Sequence, residues 1–327
     1  MRSPAGRRSW HAEGYKTDKY MLNPVKSLFV ATTIFFLVGC NLNPLGSPGL
    51  MVTVPSAPAV PSDQPTETLA PILTLPPTVT ASITPTLMSP TVTPTATWIF
   101  QTAGEVTCPI LLYHQIADID PPSQYYMSPT DFKAQMEALR DWGYIPIPIS
   151  LLIKAITLGA ELPPRPVVIT FDDGDQNVYT NAFPVMQELG FPGVLYIISS
   201  AVNGLSHLTS TEILEMVAAG WEVGDHSMTH LNMTSDHGQT WTEASQSRVA
   251  LEAALGIPIM TFAYPYGAAD TFLMEKISQY GYQAAVGLGT SAQQGPGNLF
   301  YLNRIEIKYG TTLEQFAALL PWFGPQT

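Results

Sequence analysis

The stretch VVITFDDGDQNVY, Val167 to Tyr179, ends an apolar run in two adjacent carboxylates, Asp172 and Asp173, with a third at Asp175. Half-buried like charges raise the cost of ionising one another, so a plain turn gains nothing from having both. Asp-Gly is also a hairpin signal. Beyond Gly174, however, Val178, Phe183, Met186 and Leu189 follow a helical pattern and not a returning alternating strand. Successive residues at a strand end point in different directions. One carboxylate can therefore bind a metal while its neighbour stands over the water to be activated as its base.

A metal needs further ligands, and GDHSMTH offers His226 and His230 at i,i+4 spacing. In a helical turn the two imidazoles would share one face, about 5–6 Å apart at Cβ. Two His and one Asp make a three-ligand site with open positions, suited to Zn²⁺ or a similar divalent ion. His207 and His237 read as solvated loop residues, and Asp175 reads as the cap of the helix that follows it. The Trp residues read as packing; Tyr125, Tyr126 and Phe262 are candidates to line a groove.

From Cys108 onward, β-runs alternate with helical stretches, the pattern of a parallel α/β fold. PILLYH, PVVITF, GVLYII, WEVG, IMTFAYP, YQAAVG and LNRIEI read as strands. SPTDFKAQMEALRDWGY reads as a helix with Ser128 as N-cap, Pro129 at its first position and Gly143 as its stop. Further helices are expected over Val178–Leu189, TSTEILEMVAAG, Trp241–Leu255, TFLMEKISQYG and TLEQFAALL. Seven or eight such units without sequence repeats favour a barrel over an open sheet. Chemistry in these folds gathers at the carboxyl ends of the strands. His114, the Asp pair, His226 and the segment Tyr264–Gly267 all fall there.

The folded unit is expected over residues 105–327. Between Asn41 and Ala103 there is no Lys or Arg, and 25 of 63 residues are Pro or Thr, a composition that cannot build a packed core. Residues 41–104 read as a disordered, partly polyproline linker, able to stretch on the order of 200 Å at about 3.1 Å per residue. Before it, residues 1–40 hold Lys26, an apolar run from Leu28 to Val38, then Gly39 and Cys40. That run is too short for a membrane span and fits an export signal, with Met21 as an alternative start. LVGC resembles the lipobox of bacterial lipoproteins. The resemblance implies a lipidated Cys40 that anchors an exported chain to the outer face of a bacterial cell membrane. Cys108, the other cysteine, reads as a small core residue. Removing residues 1–39 takes away six Lys/Arg and two Asp/Glu and leaves a net charge of −16, which argues against nucleic-acid partners.

Three motifs in order, TFDDG (Thr170–Gly174), HSMTH (His226–His230) and YPYG (Tyr264–Gly267), resemble those of the polysaccharide deacetylases, the NodB-homology or carbohydrate esterase family 4. The resemblance covers most of Cys108 to about Lys308. It implies a distorted (β/α)7–8 barrel and metal-dependent removal of acetyl groups from polysaccharide. By that resemblance Asp172 is the general base, and Asp173, His226 and His230 hold the metal, Zn²⁺ first with Co²⁺ or Ni²⁺ as alternatives. The backbone N–H of Tyr266 stabilises the oxyanion. Two features depart from the common pattern. Ala263 stands where many members carry an Arg, and no His follows His237. His114 is the remaining candidate acid, an arrangement similar to that of poly-β-1,6-N-acetylglucosamine deacetylases, and Arg304 is the candidate to orient Asp172. The expectation is a monomeric N-deacetylase of N-acetylglucosamine polymers. Its rivals are an O-acetyl esterase acting on a glycan such as xylan, and a tethered glycan-binding protein without catalysis.

Overall fold

PVVITF becomes the strand Pro166–Phe171 (β2), buried at every position because both of its faces are covered. It pairs in parallel with Ile110–Tyr113 (β1) and Val194–Ile197 (β3). The sheet continues through Glu222–Asp225 (β4), Thr261–Ala263 (β5) and Ala284–Val286 (β6), while Arg304–Glu306 (β7) lies on the far side of β1. Backbone bonds then join β6 to the flank of β7. Leu302 N–H donates to Ala285 O (2.8 Å), Gly287 N–H to Leu302 O (2.9 Å) and Gly289 N–H to Arg304 O (2.9 Å). The result is a nearly closed ring of seven parallel strands, the barrel expected from the sequence. This computed structural model describes residues 97–322 and 324; the expected signal, Cys40 and most of the expected linker lie outside them. No helix among the described residues is long and apolar enough to cross a membrane.

Side-chain alternation sorts the strands into two cores. Leu111, Tyr113, Val167, Ile169, Phe171, Leu195, Phe262 and Ile305 face a ring of six helices. These are Pro129–Asp141 (α1), Phe183–Leu189 (α3), Ser210–Ala218 (α4), Ser247–Leu255 (α5), Thr271–Gln279 (α6) and Leu313–Ala318 (α7). Ile110, Val168, Val194, Tyr196, Ala263, Ala284 and Val286 fill the interior together with Ile149–Thr157 (α2), whose Ile149, Leu152, Ile153 and Ile156 close the amino end. Each fully buried Val, Leu, Ile or Phe among them contributes about 1.5–3 kcal/mol. α2 has no counterpart among the helices expected from the sequence. Its ISLLIKAIT is amphipathic: Ser150, Lys154 and Thr157 form an exposed polar stripe at i, i+4 and i+7 opposite the buried Ile149, Leu152, Ile153 and Ile156, so the helical period is present in the sequence but spans only nine residues.

Local signals start and stop the helices as expected. The Ser128 side chain accepts from Asp131 N–H ahead of Pro129, and Gly190 ends α3 at φ 69°. Thr209 and Glu212 form a capping box at α4. The boundary expected at residue 104 moves back. Ile99–Gln101 pairs antiparallel with Ala160–Leu162, and Gly104 N–H donates to Ile156 O (2.9 Å), so ordered chain reaches Trp98. Cys108 is fully buried, and burial pushes its thiol pKa up.

Candidate active site

Strand parity places the first carboxylate. Val168 and Thr170 face inward, so Asp172 points into the barrel, where it is 2% exposed. Arg304, also inward on β7, meets it fork to fork: Nη1 lies 2.6 Å from Oδ1 and Nη2 lies 2.7 Å from Oδ2. The guanidinium is itself held. Its Nε donates to Gly287 O (3.1 Å), its Nη1 reaches Thr170 Oγ1 (3.4 Å), and it sits 5.3 Å over the Tyr196 ring. Burial alone would raise the Asp172 pKa; the positive charge of Arg304, with help from His226 and His114, outweighs it and holds the carboxyl at about 2. Ala263 on β5 turns its carbonyl to His226, and the guanidinium comes from β7, two strands further round the ring.

Asp173 breaks the strand. Its φ is 71°, the left-handed region that Asp tolerates better than most residues, so its side chain swings to the mouth. Oδ1 of Asp173 is buried without a hydrogen-bond partner. It lies 3.5 Å from His226 Nε2 and 3.5 Å from His230 Nε2, and the three donor atoms all fall within 4.8 Å of one another. His226 Nδ1 is 2.8 Å from Ala263 O, which assigns the proton to Nδ1 and leaves the Nε2 lone pair facing Asp173.

The two imidazoles converge, with ring centroids 4.9 Å apart, but not through the helical turn expected from their spacing. His226–His230 is a loop with positive φ at Ser227 (68°) and His230 (64°). Specific bonds hold it there. Ser227 Oγ accepts from His230 N–H (2.9 Å), and the buried Glu243 carboxylate takes both Thr229 N–H (2.9 Å) and Thr229 Oγ1–H (2.8 Å). Glu243 O also accepts from Met228 N–H (3.0 Å). Below the loop, Asp225 accepts from Ser247 Oγ (2.7 Å) and Tyr282 OH (2.5 Å), tying β4 to α5 and to the start of β6. The His230 pKa is lowered, by burial first and then by His226, which keeps the ring neutral.

His114, next inward position after Leu112, stands at the mouth with its ring edge-on to Tyr125 (centroids 5.1 Å). The residues after it are anchored to the helix that follows the Asp pair. Ile116 N–H donates to Asn177 Oδ1 (2.8 Å), and Asn181 Nδ2 donates to Ile116 O (2.7 Å). His114, Tyr125, Asp172, Asp173, His226, His230, Tyr266 and Arg304 thus line one cleft of about 260 Å³, with Leu288 and Glu306 on its far wall. Tyr266 sits at φ 61° in the turn Pro265–Gly267, its ring packed against His230 at 4.6 Å.

Some expected residues go elsewhere. Phe262 is wholly buried on the helix side of β5 against Tyr264 and Tyr282, so it lines no groove. The helix after Asp175 starts without a side-chain cap. Asp175 instead pairs across a β-bridge with His207, and burial, then the Asp173 charge, raise its pKa to about 6. Glu243, Ser227 and Glu306 escape the sequence reading: Glu243 lies inside a helical stretch, and no local pattern marks it as a loop anchor.

The donor set fits a divalent cation. One carboxylate oxygen without a partner and two imidazole nitrogens converge, while the second carboxylate is committed to Arg304. Fold and site together define a parallel α/β barrel with Asp173, His226 and His230 converging beside a buried, paired Asp172 at its carboxyl end. Comparison with known proteins narrows the class. The sequence profile "polysaccharide deacetylase" matches residues 159–285. The crystal structure of BC0361, a polysaccharide deacetylase from Bacillus cereus, is 30% identical; the match covers 66% of this chain and 69% of that one, with a TM-score of 0.59. YxkH of Bacillus subtilis is 25% identical over 227 residues, 69% of this chain and 80% of that one. The poly-β-1,6-N-acetyl-D-glucosamine N-deacetylase of Staphylococcus aureus is 25% identical over 200 residues, 56% of this chain and 68% of that one. The chain belongs to the polysaccharide deacetylase family.

Proposed function

We propose that this protein hydrolyses the N-acetyl groups of N-acetylglucosamine units in a polysaccharide, releasing acetate. The observation that carries the reading is the unpartnered Asp173 Oδ1 shared between His226 and His230, directly beside the paired Asp172. A divalent cation held by Asp173, His226 and His230, most simply Zn²⁺, supplies Lewis acidity to the acetyl carbonyl and to water. The remaining roles belong to the chain. Asp172 stays an anion at neutral pH under Arg304 and takes the proton of the attacking water. His114 gives a proton to the departing amine. The Tyr266 backbone N–H faces the developing oxyanion. An acid supplied from the first strand end answers the lack of any His after His237, and the similarity to a poly-β-1,6-N-acetylglucosamine N-deacetylase supports an amide substrate. We place the enzyme outside the cell as a monomer tethered through lipid at Cys40.

Acetate release by the full-length protein tests the reading. Substrates are β-1,4 and β-1,6 N-acetylglucosamine oligomers beside acetylxylan, each with Zn²⁺ or with chelator, and for His114→Ala as well as wild type. Chelator-sensitive release from the oligomers, suppressed in folded His114→Ala, is the expected result. Preference for acetylxylan turns the assignment to an O-acetyl esterase. Tight stoichiometric cation binding with no release from any polymer makes the protein a glycan binder.

A further inference from the structure

A second hollow, about 370 Å³, opens beside the catalytic cleft, and the two share Leu288, Arg304 and Glu306 as a common wall. The parity that builds the first cleft also builds the second. Arg304 and Glu306 occupy successive inward positions on β7, so Glu306 emerges at the rim where the two spaces meet. Leu288 continues the inward set Ala284 and Val286 past the end of β6. The bond from Gly289 N–H to Arg304 O (2.9 Å) holds Leu288–Thr290 upright as the outer bank. On the other side Tyr309 N–H donates to Gln124 O (3.2 Å), fixing the turn after β7 against the loop that carries Tyr125.

The chemistry of this hollow is that of a sugar site. Leu288 and Leu319 offer aliphatic surface to a ring face, and Thr290, Glu306 and Lys308 offer polar groups to a hydroxylated edge. The Glu306 carboxylate is mostly covered (side chain 18% exposed) and lies 3.1 Å from Lys308 Nζ, which orients it without closing off both oxygens. A carboxylate held in this way accepts from vicinal hydroxyls. Its volume lies in the range of about 300–1,000 Å³ usual for small-ligand sites.

We propose that this hollow receives the pyranose adjoining the one being deacetylated, and that Glu306 is the residue that reads it. The inference rests on the deacetylase reading above and deepens it: the polymer crosses the barrel mouth from the cation site past Glu306 toward Thr290. The protein then works on units within a chain in preference to isolated sugars.

Thr290→Trp tests this, because Thr290 is exposed and lines the second hollow only. Acetate release by the full-length protein is followed over N-acetylglucosamine monomer to pentamer, with circular dichroism checking the fold. The wild type is expected to gain at least about tenfold in kcat/KM between monomer and trimer, the effect of a single good contact. In Thr290→Trp the monomer rate stays and the gain disappears through KM. Glu306→Gln is expected to lose the same gain. A length dependence in Thr290→Trp equal to wild type overturns the subsite. A second readout separates the two readings: calorimetric binding of the pentamer with chelator present, when no turnover occurs. Weaker binding to Thr290→Trp than to wild type supports the subsite, and equal affinities overturn it. Absence of acetate from every oligomer counts against the deacetylase reading alone.

Discussion

Asp172 and Asp173 are neighbours in sequence and belong to different regions of the molecule. The inner region is a closed ion pair: Asp172 and Arg304 are 2% and 1% exposed, and Thr170, Gly287 and Tyr196 hold the guanidinium. The outer region is an open set of donors, where Asp173 and His230 side chains are each 26% exposed and one carboxylate oxygen has no partner. A single positive φ after a strand end separates them. Charge in the inner region is compensated by protein, so the fold as well as the proposed chemistry depends on it. Charge in the outer region has no such partner, so the fold depends on it less. Mutations should divide along the same line.

The largest combined effect is expected from Arg304→Ala. Removing one partner of a buried pair leaves the other charge uncompensated and costs about 3–5 kcal/mol. Denaturant unfolding should show that loss, and acetate release should fall with it. Arg304→Lys should recover little, since a point charge cannot reproduce the fork. An Arg304→Ala protein as stable as wild type breaks the comparison at its inner half.

Asp173→Asn should do the reverse. Asn accepts the left-handed backbone at this position, so little strain is added, and an unpaired buried oxygen loses its charge. Stability in chelator should stay within about 1 kcal/mol of wild type. Competition titration with Zn²⁺ should show a large loss of affinity, and acetate release should drop to background. A protein that unfolds instead would show that Asp173 is structural.

What the sequence made legible follows the same division. The residues at strand ends could be read because they sit in short motifs at fixed offsets; that Asp172, His114 and Arg304 turn inward is a finding of the structure, since a strand buried on both faces does not mark its inner side in the sequence. The conformation of His226–His230 could not be read. The loop with positive φ at Ser227 and His230 is held in part by Glu243 through Met228 and Thr229, from a helical stretch thirteen residues past His230, and i,i+4 spacing suggests a helix whenever such a partner is unknown. The start of the folded part was hidden for a similar reason. Ile99–Gln101 follows a Thr/Pro run, and its partner Ala160–Leu162 lies some sixty residues on, so only nonlocal pairing makes it a strand. Phe262 was misplaced because an aromatic next to a motif gives no sign of which face of its strand it takes.

Glu243 supplies the next test. In Glu243→Gln one oxygen can still accept from Thr229 N–H, but the amide NH2 cannot accept from Thr229 Oγ1–H and can only donate to it, the charge is lost, and the loop that presents His230 loosens. Outer partners of this kind typically alter metal affinity 10–100-fold, so Zn²⁺ binding should weaken by about that factor while thermal unfolding in chelator shifts little. Thr229→Val should follow the same direction more weakly. Unchanged Zn²⁺ affinity in both variants would remove Glu243 from the site and leave it as packing.

The smallest effect, and the sharpest on the inner region, is expected from Tyr196→Phe. The Tyr196 hydroxyl lies beside Thr261 but outside hydrogen-bond geometry, buried and unsatisfied at the centre of the barrel. An unmet buried hydroxyl destabilises by about 1–3 kcal/mol, so deleting it should leave stability level or raise it. The ring is what Arg304 uses, through its face 5.3 Å from the guanidinium carbon, and Phe keeps that face. Acetate release and Zn²⁺ affinity should then match wild type. Tyr196→Leu removes the face as well, and should lower kcat at unchanged KM because the Arg304 fork loses its support beneath Asp172. A Tyr196→Phe protein with Tyr196→Leu kinetics would mean that the hydroxyl, not the ring, holds the inner region in place.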